Sequence, residues 1–200
     1  MPANPIPVVI EDPVLLDLAL FEIQQKLELA FDWLDTAYGK AEKRPRKVGE
    51  KEVNEPVIYA GDTSLIQMFP DEHLGNFSFF DIEEGEDISS AVSSRVIANF
   101  GLVIWFDYRL VFNEYSTQWQ RKSIDHVKLL VINFFKDNYF NYSSVNLEKA
   151  YVTAEEIYKN YRESLYQGET SRALRQQYLQ RPYGGVRLEG VIKCRGVVPC

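Results

Sequence analysis

The stretch Arg95-Val-Ile-Ala-Asn-Phe-Gly-Leu-Val-Ile-Trp-Phe-Asp-Tyr-Arg-Leu-Val-Phe112 predicts the main strand region of the protein. One face of this strand is apolar at every alternate position, namely at Val96, Ala98, Phe100, Leu102, Ile104 and Phe106. The opposite face is half apolar, because Ile97, Val103 and Trp105 share it with Asn99, Gly101 and Asp107. Apolar side chains on both faces are typical of a strand that is covered on both sides. We therefore expect it to lie inside a sheet.

A long amphipathic helix is predicted before this strand. Asp12-Pro13 resembles an N-cap followed by proline at the first helical position. Apolar residues then recur at steps of three and four, at Leu16, Leu20, Ile23, Leu27, Phe31, Leu34 and Tyr38. This spacing forms one face of a helix, and Gly39 offers a C-cap. The pattern predicts that the helix extends to Tyr38.

Two further helices and several strands are predicted. Ser123 can cap a second helix with a buried stripe, which ends near Asn138. Thr153-Ala-Glu-Glu156 has the pattern of a capping box, and it opens a shorter helix that reaches Gly168. Short strands are expected at 56–61, 77–82 and 149–152, and the alternation from Val186 to Cys194 predicts a half-buried final strand.

These elements predict an α+β fold, with a mainly antiparallel sheet covered by the long N-terminal helix and the second, central helix. A length of 200 residues fits a single domain spanning 1–200. The three prolines among the first ten residues indicate a flexible N-terminal arm at 1–11. The charged segment at 40–55, with Pro45 and Gly49, is expected to be a solvated loop.

Charge is distributed unevenly along the chain. The net charge of −7 argues against a dedicated nucleic-acid binder, which needs a strong basic face. From Glu52 to Ser94 there are ten carboxylates and no Lys or Arg, whereas Lys159 to Arg195 holds eight basic residues and three glutamates. Such complementary segments can join one copy of a protein to the next. No apolar run approaches the roughly 18 residues that a membrane helix needs, so we expect no membrane partner.

Catalytic and metal-binding motifs of the common types are not found, and we expect no enzyme activity, cofactor or metal. Asp71-Glu-His73 could offer metal ligands, but a solvated loop is favoured. His126 is expected at the surface of the second helix. Cys194 could pair with a histidine as a nucleophile, but its inward position in the last strand favours packing. The two cysteines, Cys194 and Cys200, are expected to be reduced thiols.

Two features of the sequence can be interpreted in more than one way. The acidic cluster Asp81, Glu83, Glu84, Glu86 and Asp87 could bind calcium, although it lacks EF-hand spacing and a solvated loop is favoured. Such a loop could also line a passage and repel DNA phosphates. The tyrosines of the third helix could form a docking face or belong to the core, at Tyr151, Tyr158, Tyr161 and Tyr166.

The order of elements resembles the tail-terminator and tail-completion proteins of long-tailed phages, in the larger form found in phages and prophages of Bacteroidetes-type bacteria. The resemblance covers nearly the whole chain. It rests on the opening helix through Phe31-Asp-Trp-Leu34, Pro56-Val-Ile-Tyr59, Phe69-Pro-Asp71, Gly75-Asn-Phe-Ser-Phe-Phe80, Gly101-Leu-Val-Ile-Trp-Phe106 and Arg181-Pro-Tyr-Gly-Gly-Val-Arg187. In that family, helices cover one side of a mainly antiparallel sheet and the copies close into a ring.

The resemblance implies a structural virion protein of the head–tail junction, made in the host bacterial cytoplasm. Its partners would be other copies of itself, neighbouring neck or tail proteins, and DNA that passes without sequence-specific contact. The charge distribution predicts an oligomer interface or a lumen lining formed by Glu83, Glu84, Glu86, Asp87, Arg175, Arg181 and Arg187. Two alternatives remain open: a host or phage adaptor or inhibitor that acts by protein–protein binding, and a small enzyme.

Overall fold

The computed structural model describes residues 14–59, 64–70, 74–83, 87–89, 95–112, 117–165 and 179–195. The predicted N-terminal arm at 1–11 lies outside them. The strands are β1 Thr36–Lys40, β2 Glu42–Val48, β3 Lys51–Tyr59, β4 Leu65–Gln67, β5 Phe77–Ile82, β6 Asp87–Ser89, β7 Arg95–Asp107, β8 Ser143–Tyr151 and β9 Tyr183–Arg195. The helices are α1 Leu15–Ala30, α2 Tyr108–Val111, α3 Ile124–Asp137, α4 Ala154–Ile157 and α5 Arg162–Leu165, with 3-10 turns at Thr117–Arg121 and Lys159–Tyr161.

The α+β prediction is confirmed. The main sheet has the order β1-β5-β7-β9-β8, with β6 also paired to β7. All of its pairings are antiparallel except that of β1 with β5. The central position of β7 agrees with its apolar faces, although the strand ends at Asp107 instead of Phe112. There the Asp107 side chain accepts a hydrogen bond from the Arg109 backbone and begins α2.

Helices α1 and α3 cover one face of the main sheet. Their apolar stripes pack on the alternate side chains of β7 that the sequence predicted to share a face, and with them form the larger core. From α1 this core receives Leu16, Leu20, Ile23 and Leu27, and from α3 it receives Val127, Val131, Phe134 and Phe135. The limits predicted for the central helix are confirmed, since α3 ends at Asp137 with Asn138 as its C-cap. None of the helices in the described ranges is long and apolar enough to cross a membrane.

The predicted extension of the first helix to Tyr38 is wrong. Helix α1 ends at Ala30, and the chain turns so that β1 runs parallel to β5. The backbone N–H groups of Asp35 and Thr36 both donate to the carbonyl of Asn76, which fixes this pairing. Leu34 and Tyr38 are buried as expected, but from a turn and a strand. Long-range pairing therefore replaces a helix that the local spacing favoured.

The predicted solvated loop at 40–55 is also wrong. Strands β2 and β3 form an antiparallel hairpin with seven paired positions, from Glu42 opposite Val57 to Val48 opposite Lys51. Gly49 occupies the turn with φ 65°, a left-handed conformation that glycine adopts easily. Most of the hairpin residues are charged or polar on both faces, so the alternation that marks a strand is hidden in the sequence.

The opposite face of the main sheet carries a smaller aromatic core. Residues 154–165 and the second sheet, β2-β3-β4, contribute to it together with Phe77, Phe79 and Trp105 of the main sheet. The predicted third helix is broken at Tyr158 into α4, a 3-10 turn and α5. The Thr153 side chain makes no capping hydrogen bond. Tyr158 is fully buried, its hydroxyl donating to the Met68 carbonyl and accepting from the Trp105 indole.

Candidate functional site

Among the charged residues predicted to form the interface or lumen, those with described side chains do not form two opposed surface patches. Glu84, Glu86 and Arg175 lie outside the described residues. The backbone of Asp87 pairs with Ile97 at the edge formed by β6. Glu83, Arg181 and Arg187 have described side chains, and each lies in a different environment.

The prediction that Arg187 lies at a surface interface is wrong, because its side chain is completely buried. Its Nη1 lies 2.6 Å from Asp81 Oδ2 and its Nε lies 2.7 Å from Glu189 Oε1. Nη1 also donates to the carbonyl of Ile157 at 3.3 Å. Nη2 is buried and meets no acceptor among the residues described. This arginine can contact another molecule only if the protein opens.

The strands place these groups in one row. Asp81 on β5 pairs with Gly101 on β7, and Gly101 pairs with Glu189 on β9. Arg187 is two residues from Glu189, so both side chains leave the same face of the sheet. A Cβ added at Gly101 would lie 2.2 Å from Arg187 Cζ. The missing side chain therefore provides the space in which the guanidinium bridges the two carboxylates.

Residues 153–165 close over this row with polar contacts. Asn160 Nδ2 donates to Asp81 at 2.8 Å, and the Tyr161 hydroxyl donates to Asp81 at 3.2 Å. Lys159 Nζ lies 2.6 Å from both Glu83 and Glu189. We call Asp81, Glu83, Lys159, Arg187 and Glu189 the buried charge cluster, after its two fully buried members Asp81 and Arg187; the other three are partly exposed. The acidic and basic segments of the sequence are thus joined within one copy, which corrects the expectation that Glu83 and Arg187 join different copies.

The pKa values of Glu189 and Lys159 are shifted in the directions that favour their charged forms. Burial opposes the charge of Glu189, but hydrogen bonds from Lys159 and Arg187 hold its pKa below the ordinary value. Burial likewise opposes the charge of Lys159, and Glu189 and Glu83 hold its pKa above the ordinary value. Burial and the charge of Asp81 raise the pKa of the Tyr161 hydroxyl. General acid–base catalysis needs a pKa close to the working pH, and the shifts of Glu189 and Lys159 run the other way. The arrangement is suited to holding residues 153–165 on the sheet.

Arg181 is the one nominated residue with a described side chain that is exposed. It lies just before β9, and its guanidinium donates to the backbone carbonyls of Gln120 and Lys122. Its Cζ lies 5.2 Å from the ring centroid of Tyr108. Burial raises the pKa of the Tyr108 hydroxyl, and the charge of Arg181 opposes this. Arg181 therefore ties the 3-10 turn at Thr117–Arg121 to the end of the sheet.

Three more cations lie in this region. Lys122 Nζ is 5.4 Å from the ring centroid of Phe112, and Arg109 Cζ is 6.0 Å from that of Tyr183. Arg109 also forms an ion pair with Asp107 at 2.5 Å. Arg121 is exposed at the end of the 3-10 turn. We call Arg109, Arg121, Lys122 and Arg181 the cationic end of the sheet.

Several large apolar side chains in α1, in α3 and just after α3 are exposed. Leu29 at the end of α1 is 87% exposed, and Tyr139 beyond α3 is 68% exposed. Lys26 of α1 donates to the Tyr139 carbonyl, so the two elements are in contact. Further exposed apolar side chains in this layer are Leu129, Leu130 and Tyr142. These five residues belong to α1, to α3 and to the connection between α3 and β8, and we refer to them together as the apolar helical surface.

Three other candidates, Cys194, Tyr158 and Tyr161, are buried in the two cores, and His126 lies at the surface. The His126 ring is exposed, and its Nδ1 accepts from the Ser123 backbone at 3.1 Å near the start of α3. Cys194 is buried in the larger core, as predicted from its place in the last strand. Tyr158 and Tyr161 belong to the smaller core, which favours the core interpretation for these two tyrosines. His73 and Tyr166 fall outside the described ranges.

The Asp81–Arg187 pair was not predicted from the sequence, although the sequence contains a signal for it. Asp81 interrupts the otherwise apolar Phe79-Phe80-Asp81-Ile82, and Arg187 stands between Val186 and Leu188. Gly101 interrupts the apolar β7 between them in the sheet. Opposite charges inside two buried strands, with a glycine in a third, indicate a buried ion pair.

Within the ranges that the structure describes, no three His, Cys, Asp or Glu residues are grouped so that they could hold a metal ion. Comparison of the chain with protein-family models, with curated proteins and with solved structures found no match.

Proposed function

We propose that this protein is a structural subunit of a phage head–tail junction, as a neck or tail-terminator protein whose copies close into a ring around passing DNA. In this proposal it is made in the host bacterial cytoplasm and ends in the virion. The apolar helical surface is the observation that carries the proposal. The arrangement of α1 and α3 on one face of a mainly antiparallel sheet supports it, because the same arrangement underlies the resemblance.

Exposed apolar side chains in one layer favour assembly. Large aliphatic and tyrosine side chains gain free energy when a partner removes them from water, and groups of them on a surface commonly mark protein interfaces. Leu29 has almost no contact with its own chain, as its 87% exposure shows. A neighbouring copy can supply the missing cover.

The chemistry of the interface differs from that expected from charge alone. Glu83 and Arg187 are used inside the protein, so they contribute little to attraction between copies. An interface built on Leu29 and Tyr139 is apolar at its centre, and screening by salt weakens such contacts little. We therefore expect self-association to persist as the ionic strength rises.

Sedimentation velocity tests the proposal. The wild-type protein should form a closed oligomer as its concentration rises, and Leu29→Gln/Tyr139→Gln should shift it towards the monomer. Tyr59→Gln is the matched control, because Tyr59 is 56% exposed but lies at the end of β3 in the second sheet. A wild type that stays monomeric at every concentration, and also with its neighbouring virion proteins, would overturn the ring and favour an adaptor.

A further inference from the structure

The cationic end combines charge with fixed geometry. Arg181 donates to two backbone carbonyls and lies against Tyr108, so its guanidinium has little freedom. The carbonyls belong to Gln120 and Lys122, which places the Arg121 backbone beside the same guanidinium. A cation held against an aromatic ring loses less side-chain freedom when it binds a ligand than a cation free in water.

Three of the four cations at the cationic end have no carboxylate partner among the described residues. Arg109 is paired with Asp107, and the nearby Asp125 is paired with Lys128. Arg121, Lys122 and Arg181 form no ion pair with any residue in the described ranges. This contrasts with the buried charge cluster, where each cation contacts a carboxylate. In a chain of net charge −7, the described part of the structure thus leaves three positive charges at the cationic end without a carboxylate partner.

Local backbone adds to the positive potential. Helix α3 has 14 residues and begins at Ile124, two positions after Lys122. The N-terminus of a helix carries a partial positive charge that attracts anions. Arginine binds phosphate oxygens with two parallel N–H groups, which suits Arg121 and the remaining donors of Arg181.

We propose that the cationic end binds the phosphate backbone of DNA. The side chains at this end are cations and the aromatic rings that already contact these cations. Few other groups remain to form hydrogen bonds with base edges, so binding is independent of sequence. The inference rests on the proposed function, because it names the surface that would contact the passing DNA. It also predicts weak binding, since the net charge of −7 opposes approach except at this end.

Salt dependence gives a quantitative test with a fluorescein-labelled duplex of arbitrary sequence, followed by fluorescence anisotropy. Neutralising three phosphates predicts that the affinity falls about 40-fold between about 50 mM and about 200 mM salt. Arg121→Gln/Lys122→Gln leaves one contact and should reduce this fall to about 3.5-fold. Arg181 is kept in this variant, because it holds the 3-10 turn.

Lys136→Gln/Lys193→Gln is the matched control. It removes the same charge from exposed positions at the last turn of α3 and near the far end of β9. The proposal expects the control to keep the wild-type salt dependence. Equal behaviour of the two double variants, or no binding by the wild type at low salt, would overturn it.

Sedimentation of the same variants separates this inference from the ring. If Arg121→Gln/Lys122→Gln binds DNA like the wild type but no longer self-associates, the cationic end contacts an acidic surface of a second copy, and the DNA proposal is wrong. If it self-associates normally and its DNA binding shows the reduced salt dependence, both proposals stand. If the wild type binds DNA as expected but never oligomerises, only the ring fails.

Discussion

Gly101 lies directly beneath the guanidinium of Arg187, and a Cβ at residue 101 would stand 2.2 Å from Arg187 Cζ. The guanidinium cannot move aside easily, because Asp81, Glu189 and the Ile157 carbonyl hold it. The glycine and the arginine therefore occupy one shared space at the centre of the sheet.

Gly101→Ala should consequently destabilise the protein by about 2–4 kcal/mol, since overpacking is combined with displacement of a buried ion pair. Gly39→Ala is the control in β1, because the atom nearest to its Cβ would be in the Gln24 side chain at 3.4 Å, an ordinary contact distance. Urea unfolding measures both free energies. Equal stability of the Gly101→Ala variant and the wild type would show that the guanidinium is not held.

The Asp81–Arg187 pair should show strong coupling. Asp81→Asn leaves a buried guanidinium with less compensation, and loss of one partner in such a pair costs about 3–5 kcal/mol. Arg187→Met leaves Asp81 with Asn160 and Tyr161 as donors. The double variant Asp81→Asn/Arg187→Met removes both charges. Its loss of unfolding free energy should therefore be smaller than the sum of the losses in the two single variants. Glu156→Gln, which breaks the exposed pair with Arg162, should cost at most about 1 kcal/mol. Additive losses at Asp81 and Arg187 would contradict the coupling.

Glu22 should make stability depend on acid pH. Burial opposes its charge, but the backbone N–H groups of Asn141 and Tyr142 and the Lys26 ammonium outweigh burial and hold its pKa below the ordinary value of 4.5. A depressed pKa in the folded state stabilises the protein above the pKa of the unfolded state, and this contribution is lost as the pH falls through the folded pKa.

Glu22→Gln should therefore be less stable than the wild type at about pH 7, with a difference that shrinks below about pH 4.5. Glu148→Gln is the control, because Glu148 is exposed on β8. Unfolding in urea at several pH values measures the difference. A gap between Glu22→Gln and the wild type that stays constant with pH would mean that the Glu22 contacts do not depend on its charge.

Much of the fold could be predicted because local patterns and final burial agree. The alternation around Phe100 and Leu102 marks a central strand, and the stripe through Ile23 and Leu27 marks a covering helix. Prediction failed where long-range pairing decided the structure. The spacing of apolar residues continues through Leu34 to Tyr38, yet pairing of β1 with β5 draws this segment into the sheet.

The candidate site was harder to predict for a related reason. Charge counts along a sequence do not show which charges meet, and here the acidic and basic segments meet within one chain through Asp81 and Arg187. Only strand register puts Gly101 between them. The cationic end also depends on tertiary contact, because Arg181 and Lys122 are far apart in sequence.

Helix α1 allows a direct test of its buried face against its exposed face. Ile23 and Leu27 are completely buried in the larger core, whereas Leu29 on the same helix is 87% exposed. Ile23→Ala and Leu27→Ala should each lower the free energy of unfolding by about 2–5 kcal/mol, because each leaves a cavity under the sheet-facing stripe. Leu29→Ala keeps helix propensity and removes almost no intramolecular packing, so it should change stability by less than about 0.5 kcal/mol. The measurement is the urea midpoint at a protein concentration low enough to keep the chain monomeric.

Unchanged midpoints for Ile23→Ala and Leu27→Ala would mean that this face is not core. A large loss for Leu29→Ala under the same conditions would mean that Leu29 already packs within its own chain and is not free for a second copy.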